Sequence, residues 1–474
     1  MKTQHMFFGA TFHALACAVT LTTASAAMLP NLKVAEDQRL LITAEGKPFF
    51  LLGDTAWELF HRLTREETEL YLKNRADKGF NTILAVALAE HEFDQPNAYG
   101  EMPLEANDPT KPREAYFAHV DWVVDKAASL GLHTALLPTW GDKWNKKWGR
   151  GPEIFTPENA ATYCEWLARR YKDKPVIWVL GGDRPVEKDT HRAIIRAMAA
   201  GLKKGDGGRH LITYHPQGGK SSSDYWPDEP WLDFHMFQSG HGKRAAANYD
   251  MNAKNLALPA LKPTLDGEPC YEDHPVRGLM RYGKPTEWFD DYDVRRAAWR
   301  SVLSGACGHV YGTHSIWQFH DLTKRKPQTD ARTPWQQAMD LPGATQMGVM
   351  RRFIEGLDWT KLRRDDGFVH LNGIEITSAN KPMSAVAEDG SFAVVYVPGE
   401  AKNGVFFNGL KQMGGVPEAS AFDPATGNPL GLIAMVAGTG PIYRAKSNFD
   451  LTKPKQDNTP WEKDWLLVLR RKQP

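Results

Sequence analysis

The chain has 474 residues, of which 42% are hydrophobic and 24% are charged, so it is long enough for one large folded domain and a second, smaller one. Its formal net charge of +1 excludes a global positive field of the kind that attracts nucleic acid or an anionic membrane. Any preference for a charged ligand must therefore arise locally, and no nucleic-acid partner is expected.

The first residues have the features of a secretory signal peptide. Lys2 precedes an apolar run that ends in the small-residue sequence ASA, which predicts a signal peptide over residues 1–26 with cleavage near Ala26. A membrane anchor is the alternative, but His13 interrupts the run and no stop-transfer segment follows. We therefore expect export to the periplasm or the medium, with no membrane-spanning segment after processing.

Residues 30–358 alternate short β-rich apolar runs with amphipathic helical stretches, which is the pattern of βα units on a parallel sheet. In each run the apolar part comes first and polar or aromatic groups follow, as expected where barrel strands run out into βα loops. The pattern predicts an α/β fold, a (β/α)8 or TIM barrel. The eight runs begin near Pro48, Phe80, His133, Val176, His210, Asp233, Pro263 and Cys307.

Start and stop signals separate these runs. Thr64 followed by Glu67 is a capping box for a helix over 65–78, and Thr156 before a proline begins another. The fifth to seventh units are the least regular, because their connections are rich in Ser, Pro and Asn. The helix before strand seven, around residues 248–258, has the weaker pattern, and a later helix is expected over 290–303.

Residues 362–474 change to short strand-like runs separated by turns, such as FAVVYVP and WLLVLRR. This spacing predicts a C-terminal antiparallel β-sandwich domain. Residues 438–462 are rich in Pro, Lys and Asn, so we expect an irregular loop there.

Two carboxylates follow barrel strands in positions suited to glycoside hydrolysis. Asp183 comes after the apolar run VIWVLGG, and Glu268 after PTLDG. Strands four and seven lie roughly across a barrel from each other, so these two carboxyl groups can face one another over a sugar, one as acid and one as nucleophile or base. Asp266, two residues before Glu268, is expected to support the site, with the role of nucleophile as the alternative.

Other strand ends carry polar and aromatic side chains that suit sugars, which present hydroxyl edges and apolar faces. The predicted substrate-binding residues are Asp54, Trp57, Glu90, His91, Trp140, His215, Gln238, Ser239, His241, His309, His314 and Trp317. Trp166 and Trp178 are instead expected in the core.

The loops after strands three and six are basic, which would favour a substrate with carboxylates, such as a uronic acid, if both loops border the pocket. Solvated surface cations are the alternative. These residues are Lys143, Lys146, Lys147, Arg150, Lys243 and Arg244.

Rival chemistries lack their sequence signatures. The chain has no G-x-S-x-G nucleophile elbow, no H-E-x-x-H zinc helix and no P-loop. Cys164, Cys270 and Cys307 lack C-x-x-C spacing, so at most one disulfide could form. Buried free thiols are favoured, because Cys164 lies in a helical pattern and Cys307 in an apolar strand. No metal site and no cofactor are predicted. Two other functions stay open, a barrel hydrolase acting on another plant or bacterial glycan, internally or from an end, and a non-catalytic carbohydrate- or matrix-binding protein.

The segments GDTAWELFHRLTREE, WVLGGDRP, FHMFQSGHG, LDGEP and YGTHSIWQF resemble the apiosidase-like glycoside hydrolases of family 140. In that family a catalytic barrel precedes a β-sandwich that is often labelled a collagen-binding domain, and AFDPATGNPL is similar to the small domain. The resemblance implies a retaining mechanism with Asp183 as acid/base and Glu268 as nucleophile. It also implies exo-acting release of β-linked apiose from side chains of the pectin rhamnogalacturonan II, which is rich in galacturonate.

Overall fold

The computed structural model describes residues 29–371, 375–401, 405–437, 443–446 and 464–472. The predicted signal peptide lies outside the described residues, as does most of the predicted irregular loop over 438–462. Within that loop, however, Tyr443–Lys446 forms a strand, so that part of the loop prediction is wrong.

Eight parallel strands form the barrel that the sequence predicts. They are β1 Leu51–Thr55, β2 Thr82–Val86, β3 His133–Leu137, β4 Val176–Gly181, β5 Ile212–His215, β6 His235–Phe237, β7 Thr264–Asp266 and β8 Gly308–Tyr311. Strand β8 pairs with β1, and pairing then runs in chain order to β5, while β6 pairs with β7. Single backbone bonds bridge the two remaining seams, from Asp233 N to Ile212 O at 2.8 Å and from Cys307 N to Thr264 O at 2.9 Å. The (β/α)8 prediction is confirmed.

The crossover helices surround this sheet, and the caps predicted at Thr64 and Thr156 begin the first and the third of them. They are α1 Arg65–Asp77, α2 Glu114–Ser129, α3 Pro157–Tyr171, α4 Asp189–Asp206, α5 Asn248–Leu256, α6 Asp291–Leu303 and α7 Pro342–Glu355. The Thr64 hydroxyl accepts from the N–H of Glu67, whose carboxylate accepts from the N–H of Thr64. The crossover from β5 to β6 contains only the short 3-10 turn Ser222–Asp224, in the region whose helices were hardest to predict.

A small N-terminal sheet closes the lower end of the barrel. Its antiparallel strands are Leu32–Val34, Leu41–Thr43 and Pro48–Phe49. Leu32 and Leu41 pack in one apolar cluster with Leu51 and Leu265 of the barrel interior. Because this end is filled, the loops that follow the strands form the accessible end of the barrel.

The C-terminal region is an antiparallel array of nine strands, which confirms the predicted sandwich class. In chain order they are β9 Leu362–Arg364, β10 Val369–His370, β11 Met383–Ala387, β12 Phe392–Val397, β13 Phe406–Phe407, β14 Glu418–Phe422, β15 Pro429–Ala437, β16 Tyr443–Lys446 and β17 Trp465–Arg470. Pairing follows the order β9-β11-β12-β17-β14-β15-β16-β13-β10. Val369 and Phe407 at one end share a core with Val395 and Leu467 near the other, so the array folds over into two layers.

The outer face of this array packs on α6 of the barrel. Arg295 makes a bidentate ion pair with Asp464, both N–O distances being 2.8 Å, and both side chains are buried. The rings of Trp299 and Tyr396 stack with centroids 6.4 Å apart. These contacts join the two domains through a buried, hydrogen-bonded interface.

Two further sequence expectations bear on the interior and on membranes. Cys164, Cys270 and Cys307 are buried and free, as predicted. No helix within the described residues is long and apolar enough to cross a bilayer.

Candidate active site

Two glycines bring Asp183 into the open end of the barrel. A Cβ on Gly181 would stand 2.2 Å from the carbonyl oxygen of His215, and one on Gly182 would stand 2.4 Å from the nitrogen of Gly141. Only glycine fits such close backbone approaches, and both have positive φ, 96° and 99°. Asp183 follows with φ 56°, a left-handed conformation that is costly for a residue with a Cβ. The turn therefore holds the Asp183 carboxyl in one direction, into the cavity.

Glu268 is clamped by two histidines. Its Oε2 lies 3.0 Å from Nε2 of His215, and its Oε1 lies 3.0 Å from Nε2 of His241. His215 comes from the end of β5, and His241 from the loop after β6. Each carboxylate oxygen thus has its own imidazole partner.

Backbone bonds at the far side of each ring indicate which nitrogen carries the proton. The N–H of Asp183 donates to Nδ1 of His215 at 3.3 Å, and the N–H of Tyr271 donates to Nδ1 of His241 at 3.4 Å. A ring nitrogen that accepts has no proton, so each neutral imidazole carries its proton on Nε2. The Nε2–H of His241 donates to Oε1 of Glu268, and Nε2 of His215 lies 3.0 Å from Oε2. The clamp therefore favours an ionised Glu268.

The two carboxyl groups are driven toward opposite protonation states. Burial would raise the pKa of Glu268, but hydrogen bonds from His215 and His241 outweigh it and lower the pKa to about 2. Burial raises the pKa of Asp183, and the negative charge of Glu268 raises it further, against the opposing effect of Arg184. One site thus contains an ionised carboxylate next to a carboxyl that favours its proton, the arrangement that acid catalysis with a nucleophile requires.

Arg184 links Asp183 to a third carboxyl group. Its fully buried guanidinium donates to the carbonyl oxygen of Asp183 at 2.8 Å, to Oδ2 of the same residue at 3.2 Å, and to Oε1 of Glu90 at 2.6 Å. Trp148 covers it, with the guanidinium carbon 5.2 Å from the ring centroid. The Trp148 indole N–H also points to Oδ2 of Asp183 at 3.4 Å.

Glu90 changes its protonation state near neutral pH. Burial raises its pKa to about 7. The positive charge of Arg184 lowers this pKa, but the negative charges of Asp142 and Asp183 raise it and so oppose Arg184. Glu90 thus acts on Asp183 through Arg184.

Two neighbouring cavities open at this end of the barrel. One, of about 620 Å³, contains both carboxylates and is lined by Trp148, Asp183, Gln217, Gln238, Ser239, His241, Lys243, Glu268 and Arg277 among others. The second, of about 470 Å³, is lined by Arg62, Glu90, His91, Arg150 and Gln328 among others. The loop after β3 contributes Trp148 to the first and Arg150 to the second. The size and polar lining of the first cavity suit a sugar.

Seven of the fourteen predicted site residues line these cavities. Five are in the first, namely Asp183, Gln238, Ser239, His241 and Glu268, and two, Glu90 and His91, are in the second. The structure thus brings together side chains that follow β2, β4, β6 and β7.

Three further predicted residues form an aromatic group behind Glu268. The rings of Trp57 and Trp140 lie 5.1 Å apart, and each lies within 6 Å of the His215 ring, at 5.3 and 5.7 Å. All three side chains are buried, so their position indicates that they hold the His215 ring in place.

Two predicted substrate-binding residues face away from the cavities. Asp54 is fully buried and accepts from the Tyr71 hydroxyl and from Nε of Arg75, both at 2.6 Å, in an ion pair with α1. His309 is fully buried on the helix-facing side of β8, opposite to Val310 in the barrel interior, and burial lowers its pKa to about 3. Side chains alternate along a strand, so both residues point into the layer between sheet and helices. We therefore correct both predictions.

His314 and Trp317 come together after β8. The Trp317 indole donates to Nδ1 of His314 at 3.2 Å, while Nε2 of His314 lies 2.8 Å from the carbonyl oxygen of Thr329. His314 is fully buried, whereas the partly exposed Trp317 ring lies 5.6 Å from the ring of His91. His314 thus supports Trp317, which adjoins the second cavity through His91.

Asp266 has a supporting position rather than a place in the cavity. It is fully buried and accepts from the Ser239 hydroxyl at 2.7 Å and from Asn248 at 3.2 Å. Burial raises its pKa to about 7. Its contacts fix the loop after β6, which contains His241.

The basic loops only partly border the cavities. Lys143 is fully buried in an ion pair with Asp142, so its expected place on the pocket border is wrong. Lys147 and Arg244 are paired with Glu187 and Asp293. Lys243 lines the first cavity and Arg150 the second.

Sequence reasoning missed four residues that contribute to this site. Trp148, Gln217 and Arg277 lie in loops several residues beyond their strands, where no pattern fixes the path of the chain. Arg184 had a usable signal, since it directly follows Asp183 and an arginine next to a carboxylate can pair with it.

The chain was compared with protein families and known proteins. Residues 35–361 match the family described as apiosidase-like, catalytic domain. No curated protein matches the chain significantly.

Solved structures extend this likeness to nearly the whole chain. A glycoside hydrolase is 27% identical with a TM-score of 0.78, over 93% of this chain and 97% of that one. A family 5 glycoside hydrolase from Bacteroides vulgatus is 26% identical with a TM-score of 0.77, over 93% and 92%. A cycloisomaltooligosaccharide glucanotransferase from Paenibacillus, 9% identical with a TM-score of 0.56 over 89% and 85%, shares the fold.

Proposed function

Since the chain belongs to the apiosidase-like family of glycoside hydrolases, we propose that it is an exported, retaining glycosidase that releases apiose from side chains of rhamnogalacturonan II. The observation that carries the proposal is that one cavity contains both carboxyl groups, with Glu268 held between the imidazoles of His215 and His241 and with Asp183 beside Arg184. A protein that only binds sugar has no need of such a pair. The signal-peptide pattern over residues 1–26 supports export.

In the first step Asp183 gives its proton to the leaving oxygen while a carboxylate oxygen of Glu268 bonds to the anomeric carbon. The bond between that carbon and the leaving oxygen breaks, which leaves a glycosyl ester on Glu268. His215 and His241 keep Glu268 ionised before this step. Their N–H groups stay close to the Glu268 oxygens while the carboxylate loses its negative charge and becomes the ester.

In the second step the ionised Asp183 takes a proton from water, whose oxygen attacks the anomeric carbon. The ester bond breaks, the sugar leaves with its original anomeric configuration, and both carboxyl groups return to their starting states. Arg184 contacts Asp183 throughout, so it can stabilise the carboxylate between the two steps.

The local cations support an acidic substrate. Lys243 and Arg277 line the cavity that contains both carboxylates, and Arg150 lines the neighbouring one. A uronate-rich polysaccharide would present carboxylates to these three side chains.

The test is product analysis on purified rhamnogalacturonan II, with free apiose measured by chromatography for the wild type, Asp183→Ala and Glu268→Ala. Asp228→Asn, an exposed acidic residue, is the matched control. We expect apiose release by the wild type and the control, and a large loss in both active-site variants. Proton NMR of the first product would show the retained anomer.

Other results would redirect the proposal. Release of a different sugar would keep the catalytic pair and discard apiose. No release from this or a wider panel of glycans would discard catalysis in favour of carbohydrate binding.

A further inference from the structure

A short hairpin projects beside the catalytic cavity between β7 and α6. Met280–Arg281 pairs with Lys284–Pro285, and we name residues 277–287 the basic hairpin. Its base is fixed to the loop that contains His241, because Arg277 N donates to the carbonyl oxygen of His241 at 3.0 Å. Arg277 also lines the cavity, so the hairpin continues the wall of the catalytic site.

The tip of the basic hairpin is built at a conformational cost. Tyr282 and Gly283 have φ 51° and 74°, the two left-handed residues of a tight hairpin turn. Asn, Asp or Gly normally occupies the first of these positions, and a bulky aromatic side chain is rare there. The Tyr282 side chain gains no burial in return, since it is 91% exposed. Folding does not account for this residue, which indicates a role in contact with another molecule.

The tip is also unusually apolar for its exposure. Leu279 and Met280 are 40% and 43% exposed and adjoin Tyr282. The Arg281 guanidinium lies 5.3 Å from the centre of the Tyr282 ring, but the side chain is 91% exposed, so the ring remains accessible. An accessible aromatic ring with apolar neighbours can pack on the apolar face of a sugar.

Charge on and beside the basic hairpin is not neutralised. Among the described residues, no carboxylate forms an ion pair with Lys243, Arg277, Arg281 or Lys284. The neighbouring Arg244, by contrast, is paired with Glu287. Four cations that form no ion pair repel one another, and a ligand with repeated negative charges would relieve that repulsion.

We propose that the basic hairpin binds an anionic polysaccharide chain beside the catalytic cavity, with Tyr282 packed on a sugar ring and Arg277, Arg281 and Lys284 paired with carboxylates. The choice of occupant rests on the proposed function only in that a carbohydrate enters the adjoining cavity. The contribution of the hairpin is to hold the polymer around the bond that is cut. It therefore acts on large substrates and not on small ones.

The experiment measures binding without turnover. Isothermal titration with polygalacturonate, at low and at high salt, compares the full-length wild type with Tyr282→Gly and with the double variant Arg281→Gln/Lys284→Gln. Glycine suits the left-handed turn, so Tyr282→Gly keeps the hairpin folded. The matched control is Lys33→Gln/Lys47→Gln, which removes two exposed cations from the N-terminal sheet at the opposite end of the barrel.

We expect Tyr282→Gly to weaken binding about five-fold through lost ring contact. The double variant should weaken it roughly ten-fold at low salt and flatten the salt dependence. The control should bind as the wild type does. Neutral galactan should bind weakly to all variants.

Three results would overturn the proposal. They are absence of wild-type binding to polygalacturonate, wild-type affinity in both hairpin variants, or equally tight binding to oligothymidylate, which would show a response to charge alone. The proposed function fails separately. A wild type that binds the polymer through the hairpin but releases no sugar would refute the catalysis and leave the hairpin assignment intact.

Discussion

The two sides of the catalytic cavity contain carboxyl groups at similar depth but in opposite electrostatic settings. On the β7 side, the imidazoles of His215 and His241 each lie 3.0 Å from an oxygen of Glu268, and its pKa falls to about 2. On the β4 side, burial raises the pKa of Asp183, and the Arg184 guanidinium that contacts it is shared with Glu90. The comparison teaches that donors, and not depth alone, decide which of two buried carboxyl groups is ionised.

Removing each carboxyl group separately should have the largest effect on activity, and it tests directly whether the two groups have different roles. Glu268→Ala and Asp183→Ala should each lower kcat/KM for apiose release at least about 1,000-fold. Added azide should restore turnover of an activated aryl glycoside by both variants, because it replaces the nucleophile in one and attacks the glycosyl ester in the other. NMR of the glycosyl azides should show inverted configuration from Glu268→Ala and retained configuration from Asp183→Ala. The same configuration from both would refute the assignment of roles.

The histidine clamp can be weakened without emptying the site. His241→Phe keeps a ring between Tyr271 and His274, whose centroids lie 4.5 and 4.1 Å away, but removes the donor to Oε1 of Glu268. The pKa of Glu268 should rise, so the acidic limb of the kcat/KM profile should move to higher pH, with a loss of about 10-fold to 100-fold. The pH profile of apiose release measures this shift. His133→Phe, at the start of β3, is the control, and an unmoved acidic limb in His241→Phe would show that His241 only packs.

The strand-end carboxylates were predictable because an apolar run followed by Gly-Gly-Asp or by Asp-Gly-Glu places the acid just beyond a buried strand. The sequence did not show that Asp54 and His309 differ from these carboxylates. Side chains alternate between the two faces of a strand, but the alternation alone does not tell which face points into the barrel. In β1 the interior face is that of Leu51, which makes Asp54 an ion-pair partner of α1.

Long loops set a second limit on prediction. Trp148 and Arg277 reach the cavity through the folded path of their loops, which no local pattern encodes. Lys143 resembled its basic neighbours in sequence, yet it is fully buried against Asp142. Partners across a loop, and not composition, decide which lysines are available to a ligand.

Glu90→Gln tests the shared cation on the β4 side and should have a smaller effect. The change removes a negative charge but keeps a hydrogen-bond acceptor for Arg184, which can then stabilise the Asp183 carboxylate more strongly. The pKa of Asp183 should fall, so the basic limb of kcat/KM should move to lower pH by about half a unit to one unit. Asp142, His91 and Glu58 also face Glu90 and are unchanged in this variant. Glu187→Gln, beside Lys147, is the control for losing a nearby charge, and equal shifts in both would dismiss the Arg184 link.

The smallest expected effect is on stability, where the two carboxyl groups should again differ in sign. The pKa of Glu268 is depressed to about 2, so it contributes stability above its unfolded pKa, about 4.3, that is lost as pH falls toward 2. The pKa of Asp183 is raised, so its ionisation favours the unfolded chain once the pH exceeds the unfolded value of about 3.9. Asp183→Asn should therefore unfold at a higher temperature than the wild type at pH 7, and the difference should shrink toward pH 4.

Glu268→Gln should have the opposite effect at pH 7, because the two imidazole donors lose their anion. Calorimetric melting of both variants between pH 4 and pH 8 measures the two signs, and Asp228→Asn controls for the loss of an exposed charge. If both active-site variants were stabilised equally, burial alone would govern the cavity and the contrast between its two sides would not hold. Opposite signs would mean that the protein gives up stability at Asp183 to retain a proton, while the clamp on Glu268 contributes to folding and to catalysis together.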